Sequence, residues 1–422
     1  MRRLLVGLLV VLATGCALSS NATEPITLRV IMADDWASAP LVGEAIADFE
    51  EQHPEVRVQV QGSPFSQIPE LVESAGELSQ PYDLAHWHAF AAAAAGLAEP
   101  LDDLWAQAGL AEDDYLPGAV LDVTWDGARY GVPLDVNALV LMANRDLLAD
   151  AGLAADDLAR VADLPEHAAG LAALESTEHA LAVTASSWAA YGWIVAGGGQ
   201  LLETDADGMA VLDERGLPTF TFDHPRTIAV IETLASMVDS GAAPPPLAPD
   251  LSTDAISSFA DGRSALHASG SWDLPIARRA EQAEVRAEDI VVLPLPQLDP
   301  ATPRTVLGGS SLFVPEGAPN RELAFDLALA LTQLEVGLRL AAEEGRLPAR
   351  TAAYEAPMFR AAPDLAAFVR ELEHAQVMPL IAYPEVAVAF RDGLEAALGG
   401  RSSTAEAMAR VQEAADRWQA ER

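Results

Sequence analysis

Trp125 to Leu153 reads WDGARYGVPLDVNALVLMANRDLLADAGL, and the fold turns on this stretch. Asp126-Gly127 is a turn signal, and a short run ends at Pro133. An apolar run from Ala138 to Met142 follows. Asn144 starts a helix, with Arg145 and Asp146 in its first turn and Gly152 as its stop. Asp135 and Asn137 interrupt what is otherwise a fully buried strand. Buried polar groups are costly unless hydrogen-bonded, so either the protein or a ligand must satisfy these two.

Upstream, Ile26 to Met32 alternates as a strand, Ala33-Asp34-Asp35-Trp36 breaks it, and a helix runs from about Pro40 to Gln52. Val56 to Val60 is a second strand, followed by a helix from about Gln67 to Gly76. Asp83-Leu84-Ala85 is a third, opening into His86-Trp87-His88. Downstream, Leu181-Ala182-Val183 leads through Ser186-Ser187-Trp188 into a helix carrying Tyr191. Pro244-Pro245-Pro246 is a stiff linker. Val306 to Val314 (VLGGSSLFV) is a strand with Gly308, Gly309, Ser310 and Ser311 at its middle. Glycines inside a strand mark close approach of a ligand or another backbone. Amphipathic helices dominate from Glu322 to Gln419. Strands alternating with helices predict an α/β fold of mostly parallel, doubly wound sheets, with the ligand crevice outside the carboxyl ends of the strands.

The 422 residues are half apolar, enough for two large domains. A net charge of −38 argues against nucleic acid and against an anionic membrane surface as partners. All 25 basic side chains are arginine, which rules out a GK[ST] phosphate loop and a Schiff-base lysine. The single cysteine, Cys16, leaves no disulfide framework within one chain and no cysteine-based zinc site. It follows a basic Arg2-Arg3, an apolar Leu4 to Leu12 and the small residues Ala13-Thr14-Gly15, a pattern too short to span a bilayer. A cysteine in that place resembles the bacterial lipobox, in which it becomes the lipid-bearing N-terminus; the alternative is an ordinary secretory signal. Residues 1–15 are therefore expected to be a lipoprotein signal peptide, Cys16 the lipid attachment and residues 16–23 a tether. The mature chain is then held by its lipid on the extracytoplasmic face of the cell membrane.

Four motifs, in order, carry a resemblance: Tyr130-Gly131-Val132-Pro133 through Asn144-Arg145-Asp146-Leu147 to Ala151-Gly152-Leu153; Phe259 to Leu266 (FADGRSAL) with Gly270-Ser271-Trp272; Gly345-Arg346-Leu347-Pro348-Ala349; and Met378-Pro379. Together they resemble the extracellular solute-binding proteins of ABC importers, in the carbohydrate-binding group that includes maltose-binding protein. The resemblance implies the two-lobed periplasmic-binding-protein fold, each lobe a mostly parallel sheet flanked by helices, with the ligand cleft between lobes. It implies an N-lobe of residues 24–135 and 308–360 and a C-lobe of residues 136–307 and 361–422. The opening stretch is then the first crossing, Val306 to Leu312 the second, and a third is expected near Glu355 to Ala362. The implied function is capture of a sugar, a di- or oligosaccharide, and its delivery to a membrane permease served by a separate ATPase subunit. The chain is expected to be a monomer and not an enzyme, with no cofactor and no metal.

Sugar recognition needs aromatic faces for the C–H side of a pyranose and carboxylates or amides for its hydroxyls. Trp87, Trp188, Tyr191 and Trp272 stand at positions where the family places aromatics. Asp34, Asp35, Asp135, Asn137 and Ser310 are the polar candidates, with Asn137 where maltose-binding relatives have a glutamate. Trp36, His88 and Gly309 complete the expected lining. Each has a plainer reading. The tryptophans could be core. Asp34 and Asp35 could cap the following helix. The two glycines could form a tight hinge. His86 and His88 fall on one side of a strand, as a metal pair would, but without a third ligand one histidine is expected to meet a solute hydroxyl and the other to be structural. The rivals are a receptor of the same fold for a polyol, a glycerophosphodiester or a polyamine, and a secreted glycoside hydrolase. Nothing selects a catalytic pair from 63 acids, and no G-x-S-x-G or H-E-x-x-H is present.

Overall fold

A computed structural model describes residues 25–181, 186–205, 208–245, 252–279, 285 and 287–422. The leader, Cys16, the tether, Pro246 and Ala182-Val183 lie outside the described residues. Among these residues no helix is long and apolar enough to cross a membrane.

The strands, in chain order, are β1 (Ile26–Ala33), β2 (Val56–Ser63), β3 (Leu84–Trp87), β4 (Thr124–Trp125), β5 (Ala128–Arg129), β6 (Gly131–Ala138), β7 (Val140–Asn144), β8 (His179–Leu181), β9 (Ser264–Ser269), β10 (Ile290–Leu293), β11 (Thr305–Phe313), β12 (Leu347–Pro348) and β13 (Ala375–Gln376). They form two principal sheets, one per lobe. The first runs β12-β6-β11-β3-β1-β2, and the second β10-β7-β9-β8. β1 is parallel to β2 and β3, as the strand–helix alternation predicts. β11 is antiparallel to both β3 and β6. The sheets are therefore mixed rather than mostly parallel. A strand arriving from the other lobe enters from the opposite end and must pair antiparallel with its neighbour.

The opening stretch behaves as its sequence requires. Asp126 and Gly127 both take positive φ, 47° and 77°, closing the β4–β5 hairpin. Every residue of β6 and β7 is buried. β6 belongs to the first sheet and β7 to the second, with the break at Leu139. Asn144 Oδ1 accepts from the backbone N–H groups of Asp146 and Leu147, capping the helix Arg145–Asp150, and Gly152 takes φ 72° beyond its end.

β11 makes the second crossing. The third comes later than expected: Glu355 to Ala362 holds the helix Pro357–Ala361, whereas β13 pairs with Thr305 and Val306 of β11. The helix Pro363–Leu372 still buries Leu365 and Phe368 in the apolar cluster around β1, β3 and β11. After β13 the helices Pro384–Leu398 and Thr404–Ala420 pack with Phe220, Phe222 and Leu234 in the second cluster.

Candidate functional site

A cleft of about 1550 Å³ opens between the lobes. Its floor is the pair of crossing strands, where Asp135 and Asn137 of β6 stand opposite Ser310 and Gly308 of β11. A β-bulge between Ser310 and Ser311 shifts the register there. The residue skipped is Leu134 of β6, and beside the shift Gly309 takes a φ of 122°, open to few residues other than glycine. Gly308 is needed for a second reason. A Cβ there would collide with Asn137 Oδ1 and meet Trp188 Cζ2 at 2.8 Å.

Two polar networks hold this floor. Ala33 N–H donates to His86 Nδ1 at 3.2 Å, so Nε2 carries the proton. Nε2–H then donates to Ser310 Oγ at 2.6 Å, and Ser310 Oγ–H donates to Asp135 Oδ1 at 2.6 Å. Full burial pushes the His86 pKa down to about 3, which keeps the ring neutral and the tautomer fixed. Burial acts on Asp135 in the other direction and raises its pKa to about 6, against the pull of Arg346 and Ser310. The second network joins His88 Nδ1 to Asp122 Oδ1 at 2.6 Å and Ser311 Oγ to Asp122 Oδ2 at 2.8 Å. Both rings border the cleft, His86 at 1% exposure and His88 half-buried. Among the described residues no cluster of His, Cys, Asp or Glu could hold a metal ion.

Trp87, Trp188 and Trp272 are half-buried and line the cleft. Trp188 Nε1–H donates to Leu307 O at 3.1 Å, which spends its polar end and leaves its ring as an apolar surface. Trp188 and Trp272 lie with ring centroids 5.6 Å apart. Trp36 also borders the cleft but is 3% exposed. The Arg346 guanidinium covers its face at 4.3 Å, and His86 meets its edge. Asp35 accepts from Arg346 Nη2 at 2.6 Å and from the Trp36 N–H, so it serves as ion-pair partner and helix-start acceptor together. Burial works against its carboxylate, but Arg346 outweighs that and holds the pKa below the usual range.

Two expected residues do not line the cleft. Asp34 is exposed and lies against Gly62 at the end of β2. Tyr191 is 4% exposed inside the second core, and burial raises its pKa. Its helix, Ser187–Ala196, is buried all round from Ala190 onward, so only the first turn reaches the cleft. Phe65 and Ser186, which follow strand ends as the crevice rule requires, line the cleft too, and Arg346, Tyr383 and Arg391 line it without having been expected. Arg346 sits within the Gly345-Arg346-Leu347-Pro348-Ala349 motif, which was the one sequence signal for it. Arg129 pairs away from the cleft with Asp102 and Glu112, and Arg263 with Glu178 and Asp261.

Residues 44–367 match the family model described as bacterial extracellular solute-binding protein. No curated protein matches the chain. Among solved structures, the GacH receptor of Streptomyces glaucescens GLA.O, determined unliganded and with acarbose, is 22% identical with a TM-score of 0.79, over 93% of this chain and 98% of that one. Maltose-bound MalE3 of T. maritima is 20% identical with a TM-score of 0.79, over 93% and 100%. UgpB of Mycobacterium tuberculosis in complex with glycerophosphocholine is 20% identical with a TM-score of 0.77, over 93% and 97%. At these identities the likeness establishes the two-lobed fold.

Proposed function

The chain belongs to the bacterial extracellular solute-binding proteins, and on that premise we propose that it captures a sugar, a di- or oligosaccharide, in the interlobe cleft. The observation that carries this reading is the combination of Trp87, Trp188 and Trp272 with Asp135, Asn137 and His88 around the crossing strands. Flat apolar rings suit the C–H faces of a pyranose, and the acceptors suit its hydroxyls. Lobe closure then supplies contacts that only the closed state has, which is what shifts the population on binding. The maltose and acarbose complexes of structural neighbours support the sugar. The glycerophosphocholine complex keeps a phosphodiester as the second reading. Against it, each arginine lining the cleft already has a carboxylate partner: Arg346 with Asp35 and Glu344, Arg391 with Asp392, and Arg422 with Glu385.

The same reading makes the protein a transport receptor rather than an enzyme, a monomer delivering its solute to an ABC permease with a separate ATPase subunit. It sits on the extracytoplasmic face of the membrane, anchored by a lipid at Cys16. Thermal shifts against sugars, polyols, phosphodiesters and polyamines test the solute class, because a ligand bound only by the native state raises the midpoint. A shift given by phosphodiesters alone would sink the sugar reading. Trp87→Ala is expected to weaken sugar binding by about 1–3 kcal/mol in calorimetry while the unfolding midpoint stays put. Unchanged affinity would remove Trp87 from the site.

A further inference from the structure

Asp135 and Asn137 are residues i and i+2 of β6, so they share one face and stand about 6.6 Å apart along the strand. Asn137 is 5% exposed, and its Oδ1 is buried with no hydrogen-bond partner. Its side chain borders the cleft over Gly308, beside the Trp188 ring. Asp135 is 8% exposed and receives one hydrogen bond, from Ser310 to Oδ1.

The demands of these two side chains differ. Asn137 lacks a donor, which any hydroxyl could supply. Asp135 has too little positive charge: Arg346 pulls on its carboxylate, but burial outweighs that pull. Asp35 and Asp122 both add like charge to its surroundings. The opposing guanidinium, Arg346, commits Nη2 to Asp35 and Nε to Glu344 and lies against Trp36. Arg391 and Arg422 are paired with other acids of the lining. A buried carboxylate in that company is stabilised by a cation far more than by a neutral hydroxyl.

We infer that the captured solute is a cationic amino sugar, whose ammonium sits on Asp135 while a hydroxyl of the same unit donates to Asn137 Oδ1 and the ring lies against Trp188. One pyranose ring with its exocyclic groups spans the distance between the two side chains. The inference rests on the sugar reading above and narrows it. A linear polyamine offers the same ammonium, and a second one could donate to Asn137 Oδ1, but it has no flat face for Trp188.

Matched pairs that differ only by amine against hydroxyl test it: glucosamine against glucose, trehalosamine against trehalose, and β-1,4-diglucosamine against cellobiose, with spermidine as the linear amine. Calorimetry at pH 7 is expected to give at least tenfold tighter binding for the amine member of one or more pairs and no comparable binding of spermidine. In Asp135→Asn the advantage of the amine should fall below threefold, with thermal unfolding confirming that the variant is folded. If Asp135→Asn does not fold, Asp135→Ser must give the same loss. Neutral members binding equally or more tightly would overturn the amino-sugar inference and leave the sugar reading standing. Binding of spermidine alone, or of none of the seven compounds, would overturn both.

Discussion

Asp135→Asn is expected to make the empty protein more stable at pH 7 by about 2–3 kcal/mol, while it removes the charge the site offers its solute. Burial raises the Asp135 pKa to about 6 in the folded chain, against about 3.9 for an unfolded aspartate. The folded state therefore holds this proton more tightly than the unfolded state. The group's favourable contribution is complete below about pH 4 and is lost as the pH rises through about 6. Above that, the wild type carries a buried carboxylate whose single hydrogen bond comes from Ser310. Asparagine keeps an oxygen to accept from Ser310 and has no charge to bury. Urea unfolding of both proteins from pH 4 to pH 8 measures the effect. The variant's advantage should be absent near pH 4, grow between about 4 and 6, and level off above. A difference that does not change with pH would mean that Asp135 is not ionised at a cost in the native state.

Gly309→Ala should cost about 3 kcal/mol or more and lower solute affinity at least tenfold. The φ of 122° is strained for any side chain. An added Cβ would collide with the Asp135 carbonyl oxygen and lie 2.7 Å from Val136 Cα. Neither is the free end of a flexible side chain, so β6 must move, and Asp135 and Asn137 with it. Gly43→Ala makes the same chemical change in the helix Pro40–Gln52 with no atom within 4 Å of the new methyl. That variant should gain about 0.5–1 kcal/mol from lower chain entropy and better helix propensity. Denaturant midpoints and calorimetric affinities of the two variants test the contrast. Equal, small effects would mean that β6 yields at little cost and that Gly309 is not needed to shape the floor.

Much of this architecture is legible in the chain because short-range physics writes it there. The Asp126-Gly127 turn, the Asn144 cap and the glycine after Ala151 depend on neighbouring residues and form where their sequence signals stand. Asp135 and Asn137 stand out because polar groups inside an apolar strand require an explanation, and both lie on the cleft floor. The tryptophans divide differently. Trp87, Trp188 and Trp272 line the cleft, but Trp36 follows β1 in the same manner and has its face covered. Nothing near Trp36 in sequence separates it from the others, because the group that covers it is Arg346, brought from the far end of the chain.

The sequence by itself determined the elements, and its motifs, through the family they resemble, pointed to the two-lobed α/β plan and to crossing strands where polar groups meet the cleft. Hydrogen-bonded turns, caps and apolar periodicity act over a few residues and leave their marks in order along the chain. Tertiary structure alone decided which side chains remain free to meet a solute. Arg346 is occupied by Asp35, Glu344 and Trp36; His86 is locked between Ala33 and Ser310; and Tyr191 turns into the core. Asn137 Oδ1 is left without a donor. Whether a polar atom is satisfied depends on what packs against it in space, and those partners come from segments as much as 311 residues apart.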